Sequence, residues 1–286
     1  MMVIDAHQHF WDLSKVSYPW LDPSYGPIYR SIGPDELEPQ MRAAGVDQTV
    51  LVQSANSYDD TQYMLEVAER HKWVGAVVGW VPLMMPDEAG RKIEEFRRSP
   101  VFKGIRHLIH DEADPDWVIQ ERVIEGLKVL AAFGLSFDVV AVYPNHLGHV
   151  PYLAERIPNL KLVVDHLAKP PIRDKGWESW ASQLSRAAAY PNVYAKVSGL
   201  NTAAHWDTWS SEDLKPYVEF AFEQFGAHRL MFGSDWPISV LAGGYEKVWR
   251  ETLKLLAGHS QDAKDAVLGG TAAKFYGMDT PNVASG

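Results

Sequence analysis

Two histidines one residue apart are the first groups in this chain that could do chemistry. They lie in Ile4-Asp5-Ala6-His7-Gln8-His9, at the end of a short apolar run. Residues two apart on a strand point to the same side. On an inward-facing strand, His7 and His9 therefore converge on one spot; the plainer reading is two polar residues that end a strand. A second segment, Phe232-Gly233-Ser234-Asp235-Trp236-Pro237, ends a distant apolar run. If the two runs are neighbours, Asp235 sits beside the imidazoles, and a carboxylate there is suited to take a proton from water. Otherwise Asp235 merely caps a turn.

Further candidates end other apolar runs. In Val164-Asp165-His166, one of Asp165 and His166 should face inward, and the expectation falls on His166. In Lys103-Gly104-Ile105-Arg106-His107, either Arg106 or His107 would supply a donor for an oxyanion or a hydroxyl. The competing reading has Arg106 in a structural ion pair. Lys196, Ser198 and Asp138 follow similar runs. Of the eleven tryptophans most belong to a core, but Trp20, Trp206 and Trp236 fall in segments that follow strands. Flat aromatic faces there suit the C–H faces of a sugar-like ring.

These groups need a scaffold that brings strand ends together. Eight short apolar runs recur: Val3–His7, Thr49–Gln53, Val74–Trp80, Phe102–Arg106, Leu135–Val139, Lys161–Asp165, Val193–Lys196 and Leu230–Gly233. Several are continuous rather than alternating, as expected of strands buried on both faces. Helical periodicity lies between them. Leu214, Tyr217, Val218, Ala221, Phe222 and Phe225 form one stripe; Ile119, Val123, Leu127, Leu130 and Ala131 a second; Tyr245, Val248, Trp249, Leu253 and Leu256 a third. Ser210 with Asp213 reads as a capping box. Eight strands alternating with helices indicate an α/β fold, a (β/α)8 TIM-like barrel, in preference to an open doubly wound sheet. Three long segments, Trp11–Gly33, Lys169–Trp177 and Asn201–Trp209, should then lie at the face where barrel active sites form. Thr280–Gly286 reads as a frayed tail.

Composition narrows the class. The chain has 286 residues, 46% hydrophobic and 22% charged, which suits one barrel domain over 1–286. Its net charge of −10 argues against nucleic-acid or anionic-membrane partners. With no cysteine, disulfides and thiolate metal sites are excluded. No leader-like segment opens the sequence and no apolar stretch approaches a membrane span, so a cytoplasmic enzyme is expected. Oligomeric state is not legible.

The motifs DAHQHFWD, KGIRHL, VVDHLAKP, KVSGL and FGSDWP, together with the closing GGTAAKFYGM, resemble the amidohydrolase-2 group of metal-dependent-hydrolase-like barrels. Within that group the likeness is to sugar-acid lactonases of the L-fuconolactonase and L-rhamnonolactonase type. The resemblance spans nearly the whole chain. It implies hydrolysis of a small-molecule aldonolactone to the sugar acid, in fucose, rhamnose or related sugar breakdown. Binuclear members of the wider superfamily carry a carboxylated lysine on strand four and a histidine on strand five. Here those places hold Arg106 and His107, and Phe137 and Asp138, so a two-metal site is not expected. If one divalent ion is bound, His7, His9, His166 and Asp235 are its ligands, and zinc suits them. The expectation is that none is required, as in the similar pyrone-dicarboxylate lactonases.

The resulting expectation is a direct hydrolysis. Asp235 takes the proton of the attacking water. His7, His9 and Arg106 or His107 polarise the carbonyl. His166 and Lys196 bind the carbonyl or ring hydroxyls, and the leaving alkoxide recovers the proton from Asp235. Trp20, Asp138, Ser198, Trp206 and Trp236 complete the substrate site. Two rivals remain: an aromatic-acid decarboxylase on the same barrel, and a sugar-acid-binding barrel without catalysis.

Overall fold

All eight expected runs form strands, within two residues of the expected ends. The computed structural model describes residues 2–278; the expected tail Thr280–Gly286 lies outside the described residues. The strands are β1 (Ile4–Gln8), β2 (Gln48–Val52), β3 (Val74–Gly79), β4 (Phe102–His107), β5 (Ser136–Val139), β6 (Lys161–Val164), β7 (Val193–Val197) and β8 (Leu230–Phe232). They form one parallel sheet in sequence order. A helix follows each: α1 (Pro34–Ala43), α2 (Tyr58–Arg70), α3 (Pro86–Phe96), α4 (Glu121–Ala132), α5 (Val150–Arg156), α6 (Glu178–Ala188), α7 (Ser211–Phe225) and α8 (Gly244–Leu256). Short α9 (Gln261–Asp265) and α10 (Thr271–Tyr276) end the described chain. The Ser210–Asp213 capping box starts α7 as expected. No helix of the described residues is long and apolar enough to cross a membrane.

The strands are apolar throughout because both faces are covered. One face packs on the helices. The other forms an inner cluster of Ile4, Ala6, Val50, Val52, Ala76, Val78, Val163 and Met231, onto which α10 places Ala272, Phe275 and Tyr276. The inner positions of β4, β5 and β7 break this pattern with Arg106, Asp138 and Lys196, all buried.

Closure between β8 and β1 does not use a regular ladder. The Ser234 N–H donates to the Asp5 carboxylate at 2.8 Å, Asp235 N–H to His7 O at 2.8 Å, and His9 N–H to Trp236 O at 2.7 Å. The segment after β8 is thereby stitched along β1, which sets Asp235 beside the two histidines. Strand β1 also carries an extra residue: Asp5 and Gln8 oppose Thr49 and Leu51. Such a bulge re-aims side chains. Ala6 packs in the inner cluster, yet His7, the next residue, also reaches the barrel interior.

Helix α4 tests how closely helices must approach the strands' ends. A Cβ at Gly126 would run into the backbone of Leu83, after β3. Gly126→Ala should therefore lose about 1–3 kcal/mol by overpacking, although alanine ordinarily favours a helix interior. The check is the urea midpoint at unchanged slope; a rise in midpoint would show that this contact yields freely.

Candidate active site

The site is built from the barrel interior upward. At its floor, Lys196 has no exposure; its ammonium lies 2.5 Å from Asp138 and 3.1 Å from Asp165. Arg106 pairs with Asp165 at 3.1 Å and also donates to Gln53 O. Two buried cations thus face two buried carboxylates. Burial alone would raise both carboxyls. For Asp165, Lys196, His7 and Arg106 outweigh it and hold the group well below the usual range. Asp138 stays raised, burial outweighing Lys196. The Tyr276 hydroxyl of α10 donates to Asp138 at 2.8 Å.

His7 stands on this floor, its Nδ1 3.0 Å from Lys196 Nζ and 3.3 Å from Asp165 Oδ1. His9 lies above it. The His9 Nδ1 is 2.8 Å from Val52 O, and a carbonyl only accepts, so the proton is on Nδ1 and Nε2 carries a lone pair. That lone pair faces His7 Nε2 at 3.1 Å. With Lys196 donating to His7 Nδ1, a His7 Nε2–H closes the contact as a hydrogen bond. With the His7 proton on Nδ1, donated to Asp165, two lone pairs face each other as metal ligands do.

His166 arrives by an unusual route. It begins a run of four residues in the left-handed region, His166, Leu167, Ala168 and Lys169, with φ between 49° and 61°. The run turns the chain across the barrel mouth, so Asp165 and His166 both point inward. The expected choice between them therefore fails, because strict alternation does not survive a left-handed turn. The Ser198 hydroxyl lies 2.8 Å from His166 Nδ1. Asp235 Oδ1 then lies 3.4 Å from His9 Nε2, 3.7 Å from His7 Nε2 and 3.8 Å from His166 Nε2. Gly199 makes room: at φ +56° it lies under this cluster, where a Cβ would come 2.6 Å from both Asp235 Oδ2 and His166 Nδ1.

Burial governs the protonation states. It pushes His166 down to about 3 against the opposing pull of Asp235. It also pushes His7 well below the imidazole range and lowers His9. Asp235 would be raised by burial, but His166, His9 and Lys169 outweigh it and hold the carboxyl well below its usual range. At neutral pH the site is an ionised carboxylate among neutral imidazoles.

Above these groups opens a cavity of about 260 Å³. His9, Ser54, Arg106, His110, Asp165, His166, Lys169 and Asp235 are its polar lining; Leu108, Val140, Ala141, Val142 and Ile238 are apolar lining. Trp11, Trp20 and Tyr25, from the long segment after β1, close one flank. Of the expected site residues, His7, His9, His166, Asp235 and Arg106 come together, and Trp20 reaches the cavity. Ser198 acts through His166. Asp138 and Lys196 lie in the floor, with no exposure, so the expected contacts of Lys196 with carbonyl or ring hydroxyls and of Asp138 with substrate do not form. His107 points away: it accepts from Trp80 Nε1 at 3.0 Å, pairs with Glu112 at 2.6 Å and stacks on Trp117. It follows inward Arg106 on a regular strand, so alternation turns it outward. Trp236 is buried against Phe10 and Trp206 is exposed, its indole donating to Thr202 O; neither lines the cavity.

Sequence reasoning weighed Asp165 and set it below His166, and it singled out none of Lys169, Trp11 and Tyr25. The aromatics sat in a segment already marked as a strand-following loop. Lys169 opened a segment also marked as a strand-following loop, but nothing in His-Leu-Ala-Lys announces the left-handed turn that carries its side chain into the cavity.

Three of the four expected donors fit one divalent ion, and His9 stands outside that group. Ligand atoms about a tetrahedral zinc with bonds of 2.0–2.1 Å lie roughly 3.3 Å apart. The His7–Asp235 and His166–Asp235 separations of 3.7 and 3.8 Å lie close to that value. His7, His166 and Asp235 form a group able to hold an ion. Asp165 behind His7 Nδ1 is the kind of carboxylate that orients a ligating histidine.

Comparison with known proteins agrees with this architecture. The sequence model of the amidohydrolase family matches residues 4–278. An L-fucono-1,5-lactonase of Burkholderia ambifaria is 42% identical over 285 residues, covering 98% of this chain and 97% of that protein. Another L-fucono-1,5-lactonase, from Burkholderia multivorans, is 35% identical over 294 residues, covering 97% of each. The crystal structure of an amidohydrolase from Burkholderia multivorans with bound zinc superposes with a TM-score of 0.91 at 34% identity, covering 98% of this chain and all of that one.

The buried imidazoles make stability depend on acid. His166 titrates near 3 in the fold but near 6.5 when unfolded. Between those values the unfolded chain holds a proton the folded chain lacks. This contribution is therefore complete above pH 6.5 and is lost as pH falls toward 3. His166→Asn, in chelator, should flatten the fall in urea stability between pH 6.5 and 5 by up to about 1.4 kcal/mol per pH unit. An unchanged slope would mean that His166 is charged in the fold.

Proposed function

The chain belongs to the amidohydrolase family, and from that premise we propose that it hydrolyses a sugar lactone, an L-fuconolactone-like aldonolactone, to the open sugar acid. It is a hydrolase acting on a cyclic carboxylic ester. The observation that carries the reading is Asp235, an ionised carboxylate against three neutral imidazoles beside a sugar-sized cavity. The two L-fucono-1,5-lactonases that resemble this chain over nearly its full length support the substrate class.

Ester hydrolysis needs a base for water and positive potential where the carbonyl oxygen gains charge. Asp235 supplies the base. It is ionised at any neutral pH, and its Oδ1 faces the imidazole cluster where water would be held. The Arg106 guanidinium lies along the polar lining and polarises the carbonyl, while His9, its Nδ1–H committed to Val52 O, offers its Nε2 lone pair to the water. His166 keeps Asp235 in place and Ser198 keeps His166. Asp235, once protonated, returns the proton to the alkoxide that leaves. Lys196 has a different part from the one expected: it neutralises Asp138 and Asp165 and orients His7 from below. If a divalent ion such as zinc is bound, His7, His166 and Asp235 hold it, and it supplies Lewis acidity toward the carbonyl and a more acidic water.

The cavity is lined both by apolar groups, the Trp20 and Tyr25 rings among them, and by charged ones. That mixed lining suits a ring that carries both hydroxyl groups and C–H faces.

A pH-indicator assay over aldonolactones should show acid release from L-fuconolactone and close relatives. Asp235→Asn should lower kcat by about 10²-fold or more, the scale of acid–base catalysis. Assays after chelation and after zinc return assign His7 and His166 as polarisers or as ligands. Normal kcat in folded Asp235→Asn, or release of carbon dioxide from aromatic acids in place of lactone opening, would overturn the reading.

A further inference from the structure

The left-handed run at the mouth delivers one more group. Lys169 ends it and places its ammonium against the cavity. Four consecutive non-glycine residues in this conformation are costly, at roughly 1–2 kcal/mol each. They persist because their surroundings fix them. Trp180 Nε1 donates to Leu167 O at 2.8 Å, Tyr143 N–H to Ala168 O at 2.9 Å, and Lys169 N–H to His166 O at 2.9 Å. The outcome of this bracing is a side chain only 28% exposed, with its head in the substrate cavity.

An ammonium has three N–H donors. Two are taken: Lys169 Nζ donates to Gly199 O at 2.9 Å and to Thr202 Oγ1 at 2.8 Å. Asp235 Oδ2 lies 3.7 Å from the same nitrogen, beyond a direct hydrogen bond. The two oxygens of Asp235 are therefore in different settings. Oδ1 faces the three imidazoles, while Oδ2 faces Lys169. In the hydrolysis proposed above, this one carboxylate must meet the water and later the departing oxygen. The imidazole side is suited to the water. The departing oxygen then belongs on the Oδ2 side, where the gap to Lys169 lets one oxygen touch both groups.

We propose that Lys169 is a catalytic residue of the lactone hydrolysis, its ammonium binding the ring oxygen and stabilising the negative charge that gathers there as the acyl carbon–oxygen bond breaks. This rests on the lactonase reading. The step balances without any further reactant. Water's oxygen bonds to the acyl carbon and its proton goes to Asp235. The ring carbon–oxygen bond breaks with its electron pair on the ring oxygen, and the Asp235 proton moves to that oxygen. Lys169 stays an ammonium throughout. The product is a hydroxy acid, and Asp235 is ionised again.

The absence of cysteine makes a clean test possible. Lys169→Cys gives one thiol in the chain, which 2-bromoethylamine alkylates with loss of bromide, rebuilding an ammonium at nearly the native reach. On the aldonolactone that the wild type opens fastest, Lys169→Cys should lower kcat by about 10²–10³-fold, the cost of one lost charge-stabilising donor, at a KM within about threefold of wild type. Aminoethylation should restore at least about tenfold of that loss, and iodoacetamide, which adds a neutral arm, should not. If Lys169→Cys does not fold, Lys169→Gln, whose amide can still donate to Gly199 O, should show the same fall in kcat with its Tm retained. The proposal is overturned if kcat survives in either variant, if KM alone rises, or if the neutral adduct restores as much as the charged one. Lactone silence of the wild type would instead remove the lactonase reading and this role with it; loss of activity confined to Lys169 variants leaves that reading standing.

Discussion

A lysine without any solvent exposure sets the terms for this structure. An isolated ammonium in a barrel interior would carry a prohibitive desolvation cost, so Lys196 must be matched on all sides. Asp138 and Asp165 supply the charge and His7 Nδ1 a further contact. Each partner then needs its own match. Arg106 answers Asp165, and Tyr276 answers Asp138 from the last helix. Because no member can move without stranding another, the network fixes the ring of His7 and, through it, the position of His9 and Asp235. It also ties α10, far along the chain, to chemistry that begins at residue 7.

What the sequence reveals and conceals follows from which physical signals are periodic. Eight apolar runs spaced by helical stripes are visible because both faces of every strand are covered, and the barrel follows. His7 and His9 are visible because a period of two survives the bulge: the extra residue lies before His7 and moves the pair together. Arg106 and His107 could be told apart only by register, which the inward Gly104 and Arg106 settle on the stretch of β4 that pairs regularly with β5. Asp165 and His166 could not be told apart at all, since a left-handed turn overrides alternation without any glycine to announce it. The same turn concealed the direction of Lys169, although its segment was expected at this face. Trp206 misled because a strand-following segment can fold back on itself, as this one does where Trp206 donates to Thr202 O, its ends Asn201 and Trp209 both tied to Ala242 O.

The mouth is tightly packed where it bears the proposed catalytic groups. Asp235 itself has a positive φ of 55°, and Gly199 opposite it has one of 56°. The two approach so closely that glycine is the residue that fits, for shape and for backbone angle together. Asp5 holds the segment after β8 through Ser234 N–H, and burial lifts the Asp5 carboxyl to about 6. A strained, braced arrangement of this kind suits a site whose task is to present fixed dipoles and charges rather than to close around a ligand.

One tension in the site explains its composition. A carboxylate held well below its usual pKa is always ready to accept a proton but accepts it weakly. Asp235 is in that position because imidazole and ammonium groups surround it. A weak base must be helped at the other end of the reaction, by positive potential on the carbonyl and on the oxygen that leaves. The groups that weaken Asp235 are the ones placed to give that help: Lys169 lies toward Oδ2, and the imidazoles lie toward Oδ1. In the proposed mechanism, removing positive charge to make Asp235 more basic would remove the stabilisation of the transition state with it. Low basicity at Asp235 and electrostatic assistance around it are therefore two faces of one arrangement, and the buried pairs beneath it keep that arrangement from relaxing.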